Sequence, residues 1–259
     1  MKTVIIVALE REMRPLVRGW TRKWIASGGS PLLVYQNDEV IAVAGGIGSR
    51  QAESAARRVV QQYQPQILIS AGLAGALIRS LKAGSVVTPN VVVDATTGTE
   101  YRCNVRAEVV GGGLLVTAAE IAGQDSKLGL VERFHGLLVD MEAAGVARVA
   151  AEFNIGFRCV KAISDELDFV MPPLNKFVDS QGHFSAGAFL AWAAVRPQHW
   201  RSVARLSRNS SRAIHALCDW LRKNVAGDVP PAAVVTLKGG EQPNPGMPRG
   251  VLGAPNSKR

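Results

Sequence analysis

The chain has 259 residues, of which 47% are hydrophobic and 20% charged, enough to bury a sizeable core and too apolar for a disordered protein. Its three cysteines, Cys103, Cys159 and Cys218, are odd in number and far apart, which excludes a disulfide framework and a Cys-x-x-Cys metal site. The formal charge of +9 is local: Arg196 to Lys223 holds seven basic residues and one acidic, so the body is near neutral and carries no signature of nucleic-acid binding.

The first predicted element is a strand in "TVIIVAL", residues 3–9. This apolar run is too short for a signal-peptide core or a membrane span, and with thiols expected to stay reduced it points to the cytoplasm. A second strand, "VIAVAG", leads into a helix over 49–63, where Ser49 is the candidate N-cap and Ala52, Ala55, Ala56, Val59 and Val60 form one stripe. "QILISAG", "SVVTPNVVVD", "GLLVD" and "FRCVKAIS" read as further strands. Between the last two, "EAAGVARVAAEF" is helical, with Val146, Val149, Ala150 and Phe153 on one face. Continuous apolar strands separated by helices predict an α/β three-layer sandwich, a mixed and mostly parallel sheet flanked by helices.

A long helix follows over 198–223, striped by Val203, Leu206, Ser210, Ile214, Leu217 and Leu221. Arg201, Arg205, Arg208 and Arg212 share one of its faces, which reads either as a solvated surface or as a patch for anionic lipid, with Trp192, Trp200 and Trp220 at that interface. Residues 226–259 are rich in Pro and Gly without periodicity and are expected to be a disordered tail behind a single catalytic domain, 1–225. His135, His183, His199 and His215 are scattered without ligand spacing, so no metal is expected.

In open α/β sheets the ligand lies at the carboxyl ends of the strands. Those ends here hold Glu10 and Glu12, then Gly45 to Gly48, Ala71 to Gly75, Asp140-Met141-Glu142, and Ser164-Asp165-Glu166. Any one acid alone reads as a first-turn helix charge. Several gathered beside glycine-rich backbone read as an active site.

The segments "IIVALEREMRPL", "GGIGSRQAE", "ILISAGLAGAL", "VDMEAAGVARVAAEFNIGF" and "KAISDELD", in that order over about residues 1–170, resemble the nucleoside phosphorylase and nucleosidase superfamily. Beyond Asp168, "MPPLNKFVDSQGHFSAGAFLAWAAVRPQHW" and the Arg-rich helix resemble its hopanoid-associated phosphorylase branch. The resemblance implies N-glycosidic cleavage of an adenine nucleoside, in that branch phosphorolysis of the lipid-linked adenosylhopane. It gives catalytic roles to three residues: Asp165 protonates the purine, Glu142 accepts hydrogen bonds from the ribose hydroxyls, and Glu12 activates water in the hydrolases. Met141 would pack beneath the sugar and Ser164 would orient Asp165. Leu73 stands where the nucleosidases typically have a serine, and Ile121 or Ala122 where they have an aromatic residue, so substrate contacts are altered.

Phosphate, the implied co-substrate, has no motif of its own; Gly46, Gly48, Ser49 and Arg50 form either its cradle or an ordinary strand-to-helix turn. Asp140 is expected to bond backbone at the strand-to-helix turn, with no substrate role. No cofactor is implied, and a homo-oligomer is. The rival readings are a hydrolytic methylthioadenosine/S-adenosylhomocysteine nucleosidase and a catalytically silent nucleoside-binding protein. The basic helix adds the expectation of peripheral contact with the inner membrane surface.

Overall fold

The computed structural model describes residues 2–26, 31–104, 112–179 and 181–225, with the backbone of 236–237. In chain order the strands and helices are β1 (Thr3–Val7), β2 (Thr21–Ile25), β3 (Leu32–Gln36), β4 (Val40–Ala44), α1 (Ser49–Tyr63), β5 (Ile67–Ala76), β6 (Val86–Val87), β7 (Val91–Asp94), β8 (Glu100–Arg102), β9 (Leu114–Thr117), α2 (Gln124–Phe134), β10 (Leu138–Asp140), α3 (Ala143–Glu152), β11 (Gly156–Asp165), α4 (Ala186–Ala194), α5 (Trp200–Asn224) and β12 (Thr236–Leu237).

The centre of the sheet is parallel: β4 pairs with β1, β1 with β5 and β5 with β11. Along these strands the side chains alternate between two cores, as the period of two requires. Val4, Ile6 and Leu68 face α1 and α3, while Ile5, Val7, Ile67 and Ile69 face Ala213, Leu217 and Leu221 of α5. Both faces are therefore covered, which explains the unbroken apolar runs of the central strands. The periphery is antiparallel, with β2 pairing β3, β3 pairing β4 and β8 pairing β7.

The long strand β5 joins two halves of the sheet. Its first residues lie between β1 and β11, and its end turns to pair antiparallel with β10 through Val139↔Gly75 and Leu138↔Ala76. β10 then continues in parallel to β9 and β9 to β7. The ends of β1, β5, β10 and β11 meet at this junction, which is where the site lies.

Several local expectations change. Gly48, at φ 103°, is the N-cap of α1; Ser49 is its first helical residue, and its hydroxyl caps nothing. Phe153 is 38% exposed, lying beneath the Arg57 guanidinium instead of in the core. "SVVTPNVVVD" is two strands, broken at the turn around Pro89. Of the segment 226–259, Thr236–Leu237 pairs antiparallel with β8, and the remainder lies outside the described residues.

Candidate active site

Glu12 closes a 3-10 turn after β1 and is 4% exposed. Its Oε2 accepts a long hydrogen bond from the Ala8 amide, 3.3 Å, and burial pushes its carboxyl above the ordinary range while Lys161 and Arg11 oppose the shift. The same oxygen would lie 3.0 Å from a Cβ at position 72, so this approach to β5 requires the glycine found there, at φ 145°.

At the end of β10, Asp140 and Glu142 have different work. Asp140 accepts the Ala143 amide at 2.9 Å, the Thr117 hydroxyl at 2.8 Å and the Lys161 ammonium at 2.8 Å, which leaves it holding the strand-to-helix turn together. Burial disfavours the Lys161 charge, but Asp140 and Glu142 more than offset this and hold the ammonium above the lysine range. Glu142 accepts the Gly48 amide at 3.0 Å and the Met141 amide at 3.3 Å. Burial, then the charge of Asp140, pushes its carboxyl up to about 7.

The third acid hangs on a bulge. The register of β11 against β5 slips between Ile163 and Asp165, which turns Ser164 and Asp165 toward the cleft. The Ser164 hydroxyl donates to Asp165 Oδ1 at 2.6 Å, and Lys127 Nζ from α2 lies 2.5 Å from Oδ2. Lys127 also donates to the Glu166 carbonyl at 2.9 Å.

Glu12, Glu142 and Asp165 all line one cleft of about 650 Å³, with Leu73, Ile121, Met141 and Ser164 beside them. Its outer wall is largely apolar: Met171, Leu174, Phe184 and Phe189 come from the segment after β11, and Leu206 and Ile214 from α5, which also contributes Ser207, Ser210, Ser211 and His215. Thus the stripe predicted on α5 divides. Leu217 and Leu221 are core, while Val203, Leu206 and Ser210 face the cleft and Ile214 joins both.

The glycine loop stands differently. Amides from Gly45 to Gly48 donate to Val7, Ala8, Gly182 and Glu142, and Ile47 is the loop residue that lines the cleft. The Arg50 side chain is exposed, and the Ser49 hydroxyl is buried without a hydrogen-bond partner. Of the four arginines on α5, Arg205 pairs with Glu166 at 3.2 Å and covers the Phe169 ring, while the stem of Arg212 packs over Gly84. Trp192 sits among Phe177, Phe189 and His199, Trp220 packs against the core, and Trp200 is 56% exposed.

Sequence reasoning missed Lys127, which heads the stripe that Leu130, Val131 and Phe134 continue against the core, and gave Gly75 no role beyond its place at a strand end, although a Cβ there would lie 2.9 Å from Asp165 and 3.1 Å from Lys127 Nζ. A lysine three residues into a helix otherwise looks like a solvated side chain. Among the described residues, no group of three or more His, Cys, Asp and Glu side chains is placed to hold a metal ion. No described helix is long and apolar enough to cross a membrane.

Comparison with known proteins places this arrangement. The 5′-methylthioadenosine/S-adenosylhomocysteine nucleosidase of Bacillus licheniformis is 28% identical over 200 residues, covering 64% of this chain and 86% of that protein. Among solved structures, the Helicobacter pylori 5′-methylthioadenosine/S-adenosylhomocysteine nucleosidase superposes with a TM-score of 0.65 at 17% identity, over 87% of this chain and 97% of its own. The futalosine hydrolase of the same organism gives 0.65 at 16%, over 87% and 99%. These likenesses establish the three-layer fold. The family model of the phosphorylase superfamily matches residues 2–112 and 106–194. The chain belongs to the phosphorylase superfamily and is a nucleoside-cleaving enzyme.

Proposed function

We propose that this enzyme cleaves the N-glycosidic bond of an adenine nucleoside whose 5′ carbon carries a large apolar group, and that water is the acceptor. The observation that carries the reading is the meeting of Glu12, Glu142 and Asp165 in one cleft whose outer wall is largely apolar. Glycosidic cleavage passes through a cationic, oxocarbenium-like sugar, so it calls for an acid at the leaving base, a base at the attacking nucleophile and negative charge near the ribose. Asp165, oriented by Ser164, donates to the purine ring nitrogen as the C1′–N bond breaks. Glu142 accepts hydrogen bonds from the ribose hydroxyls, with Met141 under the sugar. Buried Glu12, whose carboxyl is held above the ordinary range by burial, takes the proton of the attacking water.

The 5′ group would then lie against Leu174, Phe189, Leu206 and Ile214. Adenosylhopane, which the C-terminal resemblance implies, is a substrate of this class. Phosphate as acceptor, which the C-terminal resemblance implies, is the second reading; the Ser49 hydroxyl gives it no support, because it lies against Gly145 of α3 and Ser49 does not line the cleft. The homo-oligomer also belongs to the proposal, as does contact with an anionic membrane beside the cleft, where Leu190 and Trp200 are exposed.

The test is adenine release from adenosylhopane in detergent, with and without phosphate, beside 5′-methylthioadenosine. Phosphate-independent release that is faster on the lipid-linked substrate is the expected result. Strict dependence on phosphate would replace water with the second reading, and no release from either nucleoside would overturn both.

A further inference from the structure

The described residues include two buried lysine–aspartate pairs, and they differ in what they face. Lys161 is enclosed within the sheet, bonded to Asp140 at 2.8 Å and to the Ser70 hydroxyl at 3.1 Å. Lys127 is equally buried, at 1%, yet it lines the cleft beside Asp165. It is the one buried residue of α2. Burying an ammonium is costly unless it is paired and hydrogen-bonded, and here the whole pairing is spent on the residue that must protonate the leaving base.

That pairing creates a chemical problem. A carboxyl group can donate a proton to adenine only if it holds one, and an ammonium at 2.5 Å from Oδ2 is the partner of a carboxylate. The proton available at this position is on the lysine.

We propose that Lys127 is the proton reserve for departure of the base, acting through Asp165. The inference rests on the reading of the site as a nucleoside-cleaving one. As the C1′–N bond breaks, its electron pair moves into the purine ring, and Asp165 delivers a proton to a ring nitrogen. The Lys127 ammonium transfers its own proton to Asp165 and becomes a neutral amine. On the other face water bonds to C1′ and gives one proton to Glu12. Release of the Glu12 proton to solvent and uptake of one by Lys127 restore the enzyme, so the net reaction consumes one water. Two contacts hold the relay: the Glu166 carbonyl fixes Nζ from behind, and Gly75 leaves the space in which Nζ and Oδ2 meet.

Lys127 is a positioning and proton-supplying residue, and the test must separate this from a structural role. Lys127→Met removes both charge and proton; Lys127→Arg keeps the charge but not a proton that leaves readily. Each is assayed on 5′-methylthioadenosine and on 5′-methylthio-ribose bearing 4-nitrophenolate, a leaving group that departs without protonation. Both variants are expected to lose about 10²-fold in kcat for adenine release, with KM changed less than about threefold, and to lose less than about threefold on the nitrophenyl riboside. Gly75→Ala, whose methyl group would press against Oδ2, Cε and Nζ and force the pair to shift, gives the same selective loss and serves if the lysine variants do not fold.

Equal loss on both leaving groups, or full adenine release by Lys127→Arg, would overturn the proton-reserve role while leaving the nucleoside reading intact. Wild-type protein that releases neither adenine nor nitrophenolate would overturn the nucleoside reading and this inference with it.

Discussion

The floor of the cleft and its outer wall are built on opposite terms. On the floor Asp140, Glu142 and Asp165 are tied by short hydrogen bonds to amides, hydroxyls or lysines, and Glu12 approaches backbone where only glycine fits. The wall made by the segment after β11, α4 and α5 mixes buried apolar side chains, Phe189 and Ile214, with half-buried Leu174 and Leu206 and with Leu190, which is 61% exposed, against 4% for both Glu12 and Asp165. Charges buried at strand tips demand partners fixed to within a few tenths of an ångström, whereas apolar contact tolerates reshaping. On the proposed function, the floor would carry the reaction and the wall the choice of 5′ group.

Removing an acid from the floor is the strongest way to break that division. Asp165→Asn keeps the shape and the Ser164 contact while removing the donor, and kcat is expected to fall about 10²- to 10⁴-fold with KM nearly unchanged. Steady-state adenine release together with equilibrium binding of an uncleaved analogue checks this. A comparable loss of binding would mean that Asp165 holds substrate instead of protonating it.

Glu142 sharpens the comparison through pH. Its carboxyl is pushed up to about 7, and only the ionised form accepts hydrogen bonds from both ribose hydroxyls. Accordingly kcat/KM should climb as pH rises through about 7, and Glu142→Gln should lose this limb together with about 10- to 100-fold in kcat/KM. The stability sign runs the other way. The unfolded chain releases this proton near 4.5 and the folded chain near 7, so Glu142 favours folding below that window and loses its contribution as pH rises through it. Thermal unfolding of the wild type and Glu142→Gln between pH 4.5 and 7.5 measures the difference.

The two regions also differed in how far the sequence revealed them. Unbroken apolar runs marked β1, β4, β5 and β11, and each ends in the acids or glycines of the floor. By contrast β2 is a peripheral strand with one buried side chain, Ile25, so "TRKWI" carries no alternation to detect. Lys127 stayed hidden on α2 because its partner, Asp165, is 38 positions away, and only the fold brings them together. Along α5 the periodicity was visible but its meaning was not, since a stripe facing a cleft and a stripe facing a core have the same spacing. The four arginines likewise shared a face in sequence, yet Arg205 and Arg212 are occupied within the fold.

On the wall, Leu206→Ala should weaken recognition of the 5′ group alone. Loss of one such contact is about 1–2 kcal/mol, which raises KM about 5- to 30-fold for a 5′-decylthioadenosine and less than twofold for 5′-methylthioadenosine. An equal rise for both substrates would place Leu206 against the base or sugar and dissolve the division between floor and wall.

The smallest expected effect concerns the ground outside the wall. Replacing all four arginines would confuse binding with folding, because Arg205 is held by Glu166 and Phe169 and Arg212 covers Gly84. Arg201 and Arg208 are exposed and free of such packing, and exposed Trp200 adjoins Arg201. If this surface meets an anionic bilayer, each arginine is worth about 1 kcal/mol, so Arg201→Gln with Arg208→Gln should reduce partition onto phosphatidylglycerol vesicles about 5- to 30-fold. The effect should shrink at high salt, and Trp200→Ala should reduce what binding remains. Cleavage of soluble 5′-methylthioadenosine should stay unchanged, since neither arginine lines the cleft. Unaltered partition in the double variant would leave the basic face as a solvated helix surface, and the lipid-linked substrate would then have to reach the wall without electrostatic help.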